Sequence, residues 1–185
     1  MNFRSLLLGL LFIGVGFGTT LRVLPFNELV QKSDLIVSGT ILKSETQFLN
    51  GHIWTRYSLR ILETLKGSHQ ELLEFEQPGG VVGKYQTLVS GTAELKPDSS
   101  VCLFLWLDSK GAYQILGLEQ GHFPLISFGE ETLVPLASRQ LRNLETKVRH
   151  SYLKYGLNTE VDQLREFLAR PTWTRFKGLV RTYDH

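Results

Sequence analysis

The most constraining feature of this chain is a segment in which side chains of two kinds alternate along the backbone. Over residues 53–62 the odd positions carry Ile, Thr, Tyr, Leu and Ile, whereas the even positions begin with Trp54 and Arg56. A repeat of two is the period of a β-strand, because successive side chains point to opposite faces of a sheet. The segment therefore predicts a strand with one face in the core and with Trp54 and Arg56 on the face toward solvent.

A second segment, residues 101–107, is apolar at every position and reads VCLFLWL. A short run without polar residues is typical of a central strand that is buried on both faces. This run contains the only cysteine of the chain, Cys102, so an internal disulfide cannot form. We expect the Cys102 thiol to be buried and inert, because apolar surroundings disfavour the reactive thiolate.

Turn signals divide residues 35–136 into about eight strand candidates of this kind. Asn50-Gly51 is a strong hairpin signal, since both residues tolerate a positive φ. Gly39, in the middle of an apolar strand candidate, predicts a bulge or a tight bend. Short strands with turns at close intervals are typical of a barrel or a sandwich.

Helical periodicity occurs at both ends of this strand region. Residues 25–33 have the spacing of a short helix, and apolar residues recur at steps of three and four over residues 141–155. A further helix is predicted over residues 160–170, with Thr159 as its N-cap. The basic and aromatic tail that ends at His185 receives no assignment from the pattern.

The N-terminus has the charged, apolar and small-residue order of a secretory signal peptide. Arg4 precedes an uncharged run over residues 5–18, which is short of the roughly twenty residues of a membrane-spanning helix. We predict a signal peptide over residues 1–18, a β domain with a short N-terminal helix over residues 19–136, and a C-terminal helical extension over residues 137–185. The expected location is the bacterial periplasm or the outside of the cell, and an uncleaved membrane anchor is the alternative.

Charge is distributed unevenly, which bears on the partners to expect. Residues 137–185 carry 10 Lys and Arg against 5 Asp and Glu, whereas the whole chain has a net charge of +2. A basic end can contact an anionic surface, although a solvated helix face explains it more simply. An exported protein seldom meets nucleic acid, so we expect another envelope or secreted protein as partner, with no membrane span after cleavage.

No catalytic, metal or cofactor motif is complete in this sequence. The glycine-rich stretch before Lys84 lacks the first glycine and the final hydroxyl residue of a phosphate-binding loop. The five histidines lie too far apart along the chain for a typical zinc motif, and no Gly-x-Ser-x-Gly elbow is present. His122 is the one histidine with strongly apolar neighbours, and we expect it to be partly buried.

Six short motifs occur in the order found in a group of uncharacterised secreted bacterial proteins. They lie at residues 34–39 (DLIVSG), 55–57 (TRY), 65–67 (LKG), 78–80 (PGG), 103–105 (LFL) and 120–123 (QGHF). Over about residues 26–126 the chain resembles this group, whose members look like OB-type barrels distantly similar to the netrin-like module of metalloproteinase inhibitors. The resemblance implies a small antiparallel OB-like barrel without enzymatic activity. The disulfide-held N-terminal cysteine of those inhibitors has no counterpart here.

The leading hypothesis from the sequence is an exported, non-catalytic binding module. The residues predicted to bind are two on the solvent face of the alternating strand, five in the glycine-rich loop and one histidine: Trp54, Arg56, Pro78, Gly79, Gly80, Gly83, Lys84 and His122. Two alternatives stay open, namely a hydrolase whose site assembles around His122 and a structural envelope component. For Trp54 the alternative is that the C-terminal helices cover it.

The signal peptide yields a direct prediction about the mature protein. Mass spectrometry of the protein exported by a bacterial host should find a chain that begins at residue 19, because Gly16 and Gly18 supply the small side chains that the cleavage site requires. A mature chain that begins at Met1 would show that the segment is kept as an anchor.

Overall fold

The computed structural model describes residues 22–68, 71–155 and 158–184. The predicted signal peptide lies outside these residues. The helices are α1 (Phe26–Lys32), α2 (Ser138–Tyr155), α3 (Thr159–Ala169) and α4 (Trp173–Tyr183). The strands are β1 (Leu35–Leu49), β2 (His52–Lys66), β3 (Leu72–Pro78), β4 (Gly80–Val82), β5 (Tyr85–Thr87), β6 (Ser100–Leu107), β7 (Tyr113–Ile115), β8 (His122–Pro124), β9 (Ile126–Phe128) and β10 (Glu131–Leu133).

The main sheet has the strand order β1-β2-β3-β7-β6-β8, and β1 pairs in addition with β6. The five strands β1, β2, β3, β7 and β6 therefore follow one another in a cyclic order. Two short hairpins, β4–β5 and β9–β10, form separate two-stranded sheets. The predicted class, mainly β with C-terminal helices, is confirmed: the structure has a mixed sheet, and the helices α2, α3 and α4 follow it in the chain.

The expectation of a wholly antiparallel arrangement is wrong at one pairing. Strands β3 and β7 run parallel, with Phe75 opposite Tyr113 and Glu76 opposite Gln114. The reason is geometric: an odd number of strands in a cyclic order cannot alternate in direction throughout, so one neighbouring pair must be parallel. The hairpin from β6 fixes the direction of β7, because the Asp108 carboxylate accepts hydrogen bonds from the backbone of the turn at 2.8 and 2.9 Å.

Strand β6 is buried on both faces over Val101 to Leu105, as its apolar run predicts. Alternate side chains enter two different clusters, because successive residues of a strand point to opposite sides. Leu103 lies among the strands, whereas Phe104 lies under the helices. At the end of the strand the prediction is wrong, since Trp106 and Leu107 are 36% and 45% exposed.

The helices cover the second of these clusters. Phe26 of α1 packs edge to face on Phe104 and on Phe176 of α4, with ring centroids 5.8 and 5.5 Å apart. Such aromatic contacts add to the hydrophobic gain of burial. Cys102 is fully buried here, as expected, and burial raises the pKa of its thiol well above the ordinary value.

The C-terminal helices differ from the sequence pattern in two details. Asn158, and not Thr159, is the N-cap of α3, since the Asn158 side chain accepts a hydrogen bond from the Val161 backbone amide at 2.9 Å. The unassigned tail forms α4, whose apolar residues recur with helical spacing and are buried. Its basic residues lie between them, which obscured the stripe in the sequence.

The predicted glycine turn and bend are confirmed. Asn50 and Gly51 both have a positive φ, 51° and 82°, at the turn between β1 and β2. The register of β1 against β2 shifts between Ser38 and Gly39. A Cβ at Gly39 would lie 2.2 Å from the carbonyl oxygen of Arg60, so only glycine permits this approach of the two backbones.

Two glycine substitutions should therefore have opposite effects on stability. Gly39→Ala should lower the free energy of unfolding by about 3 kcal/mol, because the new methyl group displaces the β2 backbone. Gly178→Ala should raise it by about 1 kcal/mol, since no atom lies within 4 Å of the new Cβ and alanine is the better helix former. Urea unfolding of both variants tests this, and an equal loss in the two would contradict the close approach at Gly39.

Candidate binding surface

Strands β1 and β2 extend beyond β6 as a ribbon, which β3 flanks on the β2 side as far as Trp54 and which has two strands only from there to its turn. The pairing of β1 with β6 ends at Thr40, whereas its pairing with β2 continues to Leu49. The Asn50-Gly51 turn closes the ribbon at its far end. In this part of β1 one edge is paired with β2, and beyond Ile41 no strand is paired with the other edge among the described residues. The ribbon presents two faces.

The inner face of the ribbon carries the hairpin β4–β5, which is attached through the glycine pair that the sequence singled out. The Thr55 hydroxyl donates a hydrogen bond to the carbonyl of Gly79 at 2.7 Å, and the Gly79 amide donates to the carbonyl of Ile53 at 2.8 Å. A Cβ at Gly80 would lie 2.5 Å from side-chain atoms of both Thr46 and Thr55. We call this contact the glycine junction.

The outer face carries an apolar patch, as the alternation predicts. Trp54 is partly buried and lies opposite Pro78 of β3. On its other side Trp54 lies opposite Gln47 of β1, and Leu49, two residues after Gln47, points to the same face. We call Leu49, Trp54 and Pro78 the outer patch. Leu49 is 41% exposed, so the patch is accessible to a partner.

Ion pairs flank the outer patch on the side toward the main sheet. Arg56 donates two hydrogen bonds, at 3.0 and 2.8 Å, to one carboxylate oxygen of Glu76, and this contact raises the pKa of the Arg56 guanidinium. Lys43 and Glu45 form a further pair at 2.7 Å. An apolar centre with a polar, charged rim is the usual anatomy of a protein–protein interface.

The C-terminal helices contact β2 at its other end. Trp173 and Lys177 of α4 donate hydrogen bonds to the Glu63 carboxylate at distances of 2.9 to 3.1 Å. The alternative that these helices cover Trp54 is therefore not what the structure shows.

The remaining loop residues lie at the tip of the β4–β5 hairpin. Gly83 has a φ of 58° in open space, and the Lys84 ammonium lies 5.4 Å from the ring centroid of Tyr85. Tyr85 in turn approaches Phe48 of the ribbon, with ring centroids 6.5 Å apart. The sequence analysis missed Phe48 and Tyr85, although both lie beside turn residues and could have been noticed as apolar residues flanking turns.

A cleft of about 290 Å³ opens between the end of β3 and the chain that follows β5. Several of its polar groups already have partners in the protein. Gln77 bonds both backbone groups of Ala93, at 3.1 and 3.3 Å, and the Thr92 hydroxyl donates to the carbonyl of Val89. The cleft thus holds few groups free to orient a polar ligand.

His122 lies away from these residues, on β8 beside β6. Burial lowers the pKa of its imidazole to about 4, so the ring is neutral at pH 7. The shift has burial as its only cause, without a contribution from a nearby carboxylate within the described residues. The acid partner that a histidine general base requires is therefore not found there.

The part of the chain that the structure describes contains no group of three or more His, Cys, Asp or Glu side chains placed to hold a metal ion. Among its helices, none has both the length and the apolar character needed to cross a membrane.

Comparisons with protein-family models, with curated proteins and with solved structures find no match for this chain. The resemblance to secreted bacterial proteins stays a prediction. The ribbon and its hairpin are therefore the features from which a function can be inferred.

The buried His122 should make stability depend on pH. Between about pH 6.5 and about pH 4 the unfolded chain binds a proton that the folded chain does not, so the free energy of unfolding should fall as the pH falls. The loss should reach about 3 kcal/mol over this window and should largely disappear in His122→Gln. Urea unfolding at several pH values measures it, with His52→Gln as the control that keeps the dependence. If both variants keep it, His122 is not the buried group responsible.

Proposed function

We propose that this protein is an exported, non-catalytic binding module of the bacterial envelope, and that its partner is another envelope or secreted protein. The observation that supports this most is the outer patch, in which Leu49 is exposed and Trp54 and Pro78 beside it are half-buried. Tryptophan and arginine are the side chains most often found to dominate binding energy at protein interfaces. Arg56 stands at the rim of this patch.

The OB-like barrel is part of the proposal. The cyclic order β1-β2-β3-β7-β6 supports a sheet that closes on itself, and the apolar cluster among the strands would fill its interior. Barrels of this kind bind through their loops and an open face, while the closed sheet holds those loops in place. The ribbon and the β4–β5 hairpin are the loops in this case.

The glycine junction supports binding through a preorganised surface. Because Gly79 and Gly80 let the hairpin lie directly on the ribbon, less conformational entropy is lost when a partner binds. The ion pairs at the rim, Arg56 with Glu76 and Lys43 with Glu45, offer both signs of charge to a partner. Such rim charges contribute more to specificity and to the rate of association than to affinity.

Export of the chain has support from its sequence. The apolar leader over residues 5–18 is typical of a signal peptide. The one cysteine, Cys102, is buried in the core and forms no disulfide, so stability depends on packing alone. The hydrolase alternative around His122 gains no support from the geometry of that histidine.

Site-specific photo-crosslinking in the envelope of the producing bacterium tests the proposed binding surface. Benzoylphenylalanine at position 54 should give a discrete adduct with one protein, because the outer patch is where the partner lies. The same group at position 153, which is 74% exposed on α2, is the matched control and should give none. Arg56→Glu should reduce the adduct by about tenfold, since the new carboxylate repels Glu76 and reverses the rim charge.

Thermal unfolding of each variant shows whether the fold is kept. Equal crosslinking from positions 54 and 153, or an adduct that Arg56→Glu leaves unchanged in a folded protein, would contradict a binding surface at the outer patch. An adduct with a second copy of the chain would instead favour the structural envelope component.

A further inference from the structure

The two hairpins end side by side and expose large apolar side chains there. Phe48 and Tyr85 are each 58% exposed although their rings approach each other, and Val81, on the opposite face of the β4–β5 hairpin from Tyr85, is 56% exposed. We call Phe48, Val81, Lys84 and Tyr85 the tip surface. It lies at the ends of turns and projects from the fold, whereas the outer patch lies on the flat face of the ribbon.

Carboxylates are missing from the chain around the tip surface. Residues 46–55 and 77–93 contain no Asp or Glu, and their only formal charge is that of Lys84. The charged pairs that flank these stretches in the sequence are Lys43 with Glu45 and Arg56 with Glu76, which lie farther down the ribbon, and Glu94 with Lys96, in the chain after β5. The tip surface therefore combines apolar side chains with one positive charge and with no negative charge.

This combination matches the boundary region of an anionic lipid bilayer. Tyrosine is enriched at membrane interfaces, where its ring lies among acyl chains and its hydroxyl remains near water. A lysine beside it can bury its stem and keep the ammonium at the level of the phosphates. Charge complementarity favours a membrane with anionic headgroups.

The shape of the tip surface also favours a fluid partner. Two projecting turns require a matching cavity in a protein partner, whereas a bilayer interface opens around them. The glycine junction holds β4–β5 on the ribbon through Gly79, so the apolar tips remain together before binding. A preorganised surface loses little conformational entropy on insertion.

We propose that the tip surface inserts into the headgroup region of an anionic lipid bilayer and so places the protein on a membrane. This goes beyond the proposed protein-binding function, because it uses different residues on the same ribbon. The outer patch lies beside the tip surface and would then face a partner that is itself at the membrane.

Co-sedimentation of the mature protein with lipid vesicles tests the proposal. Vesicles of phosphatidylcholine mixed with phosphatidylglycerol should bind the protein, and vesicles of phosphatidylcholine alone should bind it about fivefold more weakly, the effect of one lysine. The double variant Phe48→Ser with Tyr85→Ser should lose binding by about tenfold or more, because two rings no longer enter the apolar layer. Lys84→Gln should remove the preference for the anionic vesicles.

Leu153→Ser is the matched control, since Leu153 is 74% exposed on α2 and lies outside both hairpins. It should bind as the unmodified protein does, and circular dichroism confirms that each variant is folded. The proposal is overturned if the unmodified protein sediments with neither kind of vesicle, or if the double variant binds as well as the control.

A further variant separates this inference from the proposed function. Trp54→Ala should keep vesicle binding, because Trp54 lies outside the tip surface. Loss of vesicle binding in Trp54→Ala together with the double variant would contradict a distinct lipid-binding tip. Crosslinking at position 54 without vesicle binding would leave the protein-binding proposal in place and reject the membrane proposal alone.

Discussion

Burial of both faces of β6 is the constraint on which the rest of this structure depends. A strand whose side chains are apolar on both sides must have a cluster on each. Leu103 enters the cluster among the strands and Phe104 the cluster under the helices, so sheet and helices have to pack on the same strand. The single cysteine, Cys102, is buried in this packing and forms no disulfide within the chain.

The proposed surfaces lie on the part of β1 and β2 that extends past the end of β6. Strand β1 continues past β6. Beyond Ile41, whose backbone still bonds to Asp98 and Ser99, β2 is its one paired neighbour among the described residues. Beyond Trp54, where the pairing of β2 with β3 also ends, the ribbon has two strands only, and such a ribbon is at best marginally stable alone. The hairpin β4–β5, which contacts the ribbon at Gly79 and Gly80, adds a second layer on its inner face and leaves the outer face and the tips accessible.

Local patterns predicted the elements that depend on local chemistry. The alternation of β2, the Asn50-Gly51 turn and the glycine bend at Gly39 were readable because side-chain period and positive φ are properties of short segments. The parallel pairing of β3 with β7 was not, since it arises from closing five strands in a cyclic order. For the candidate surface, alternation placed Trp54 on the outer face, but the meeting of Phe48 with Tyr85 depends on how two distant hairpins fold together.

The pairing of β1 with both β2 and β6 is the central claim, and nuclear Overhauser contacts between backbone protons test it most directly. The account predicts contacts between Val37 and Leu103 across β1 and β6, together with contacts between Phe75 and Tyr113 across the parallel pair. If β1 instead shows contacts to β2 alone, the five strands do not follow one another in a cycle, and the support for the ribbon and its surfaces is lost.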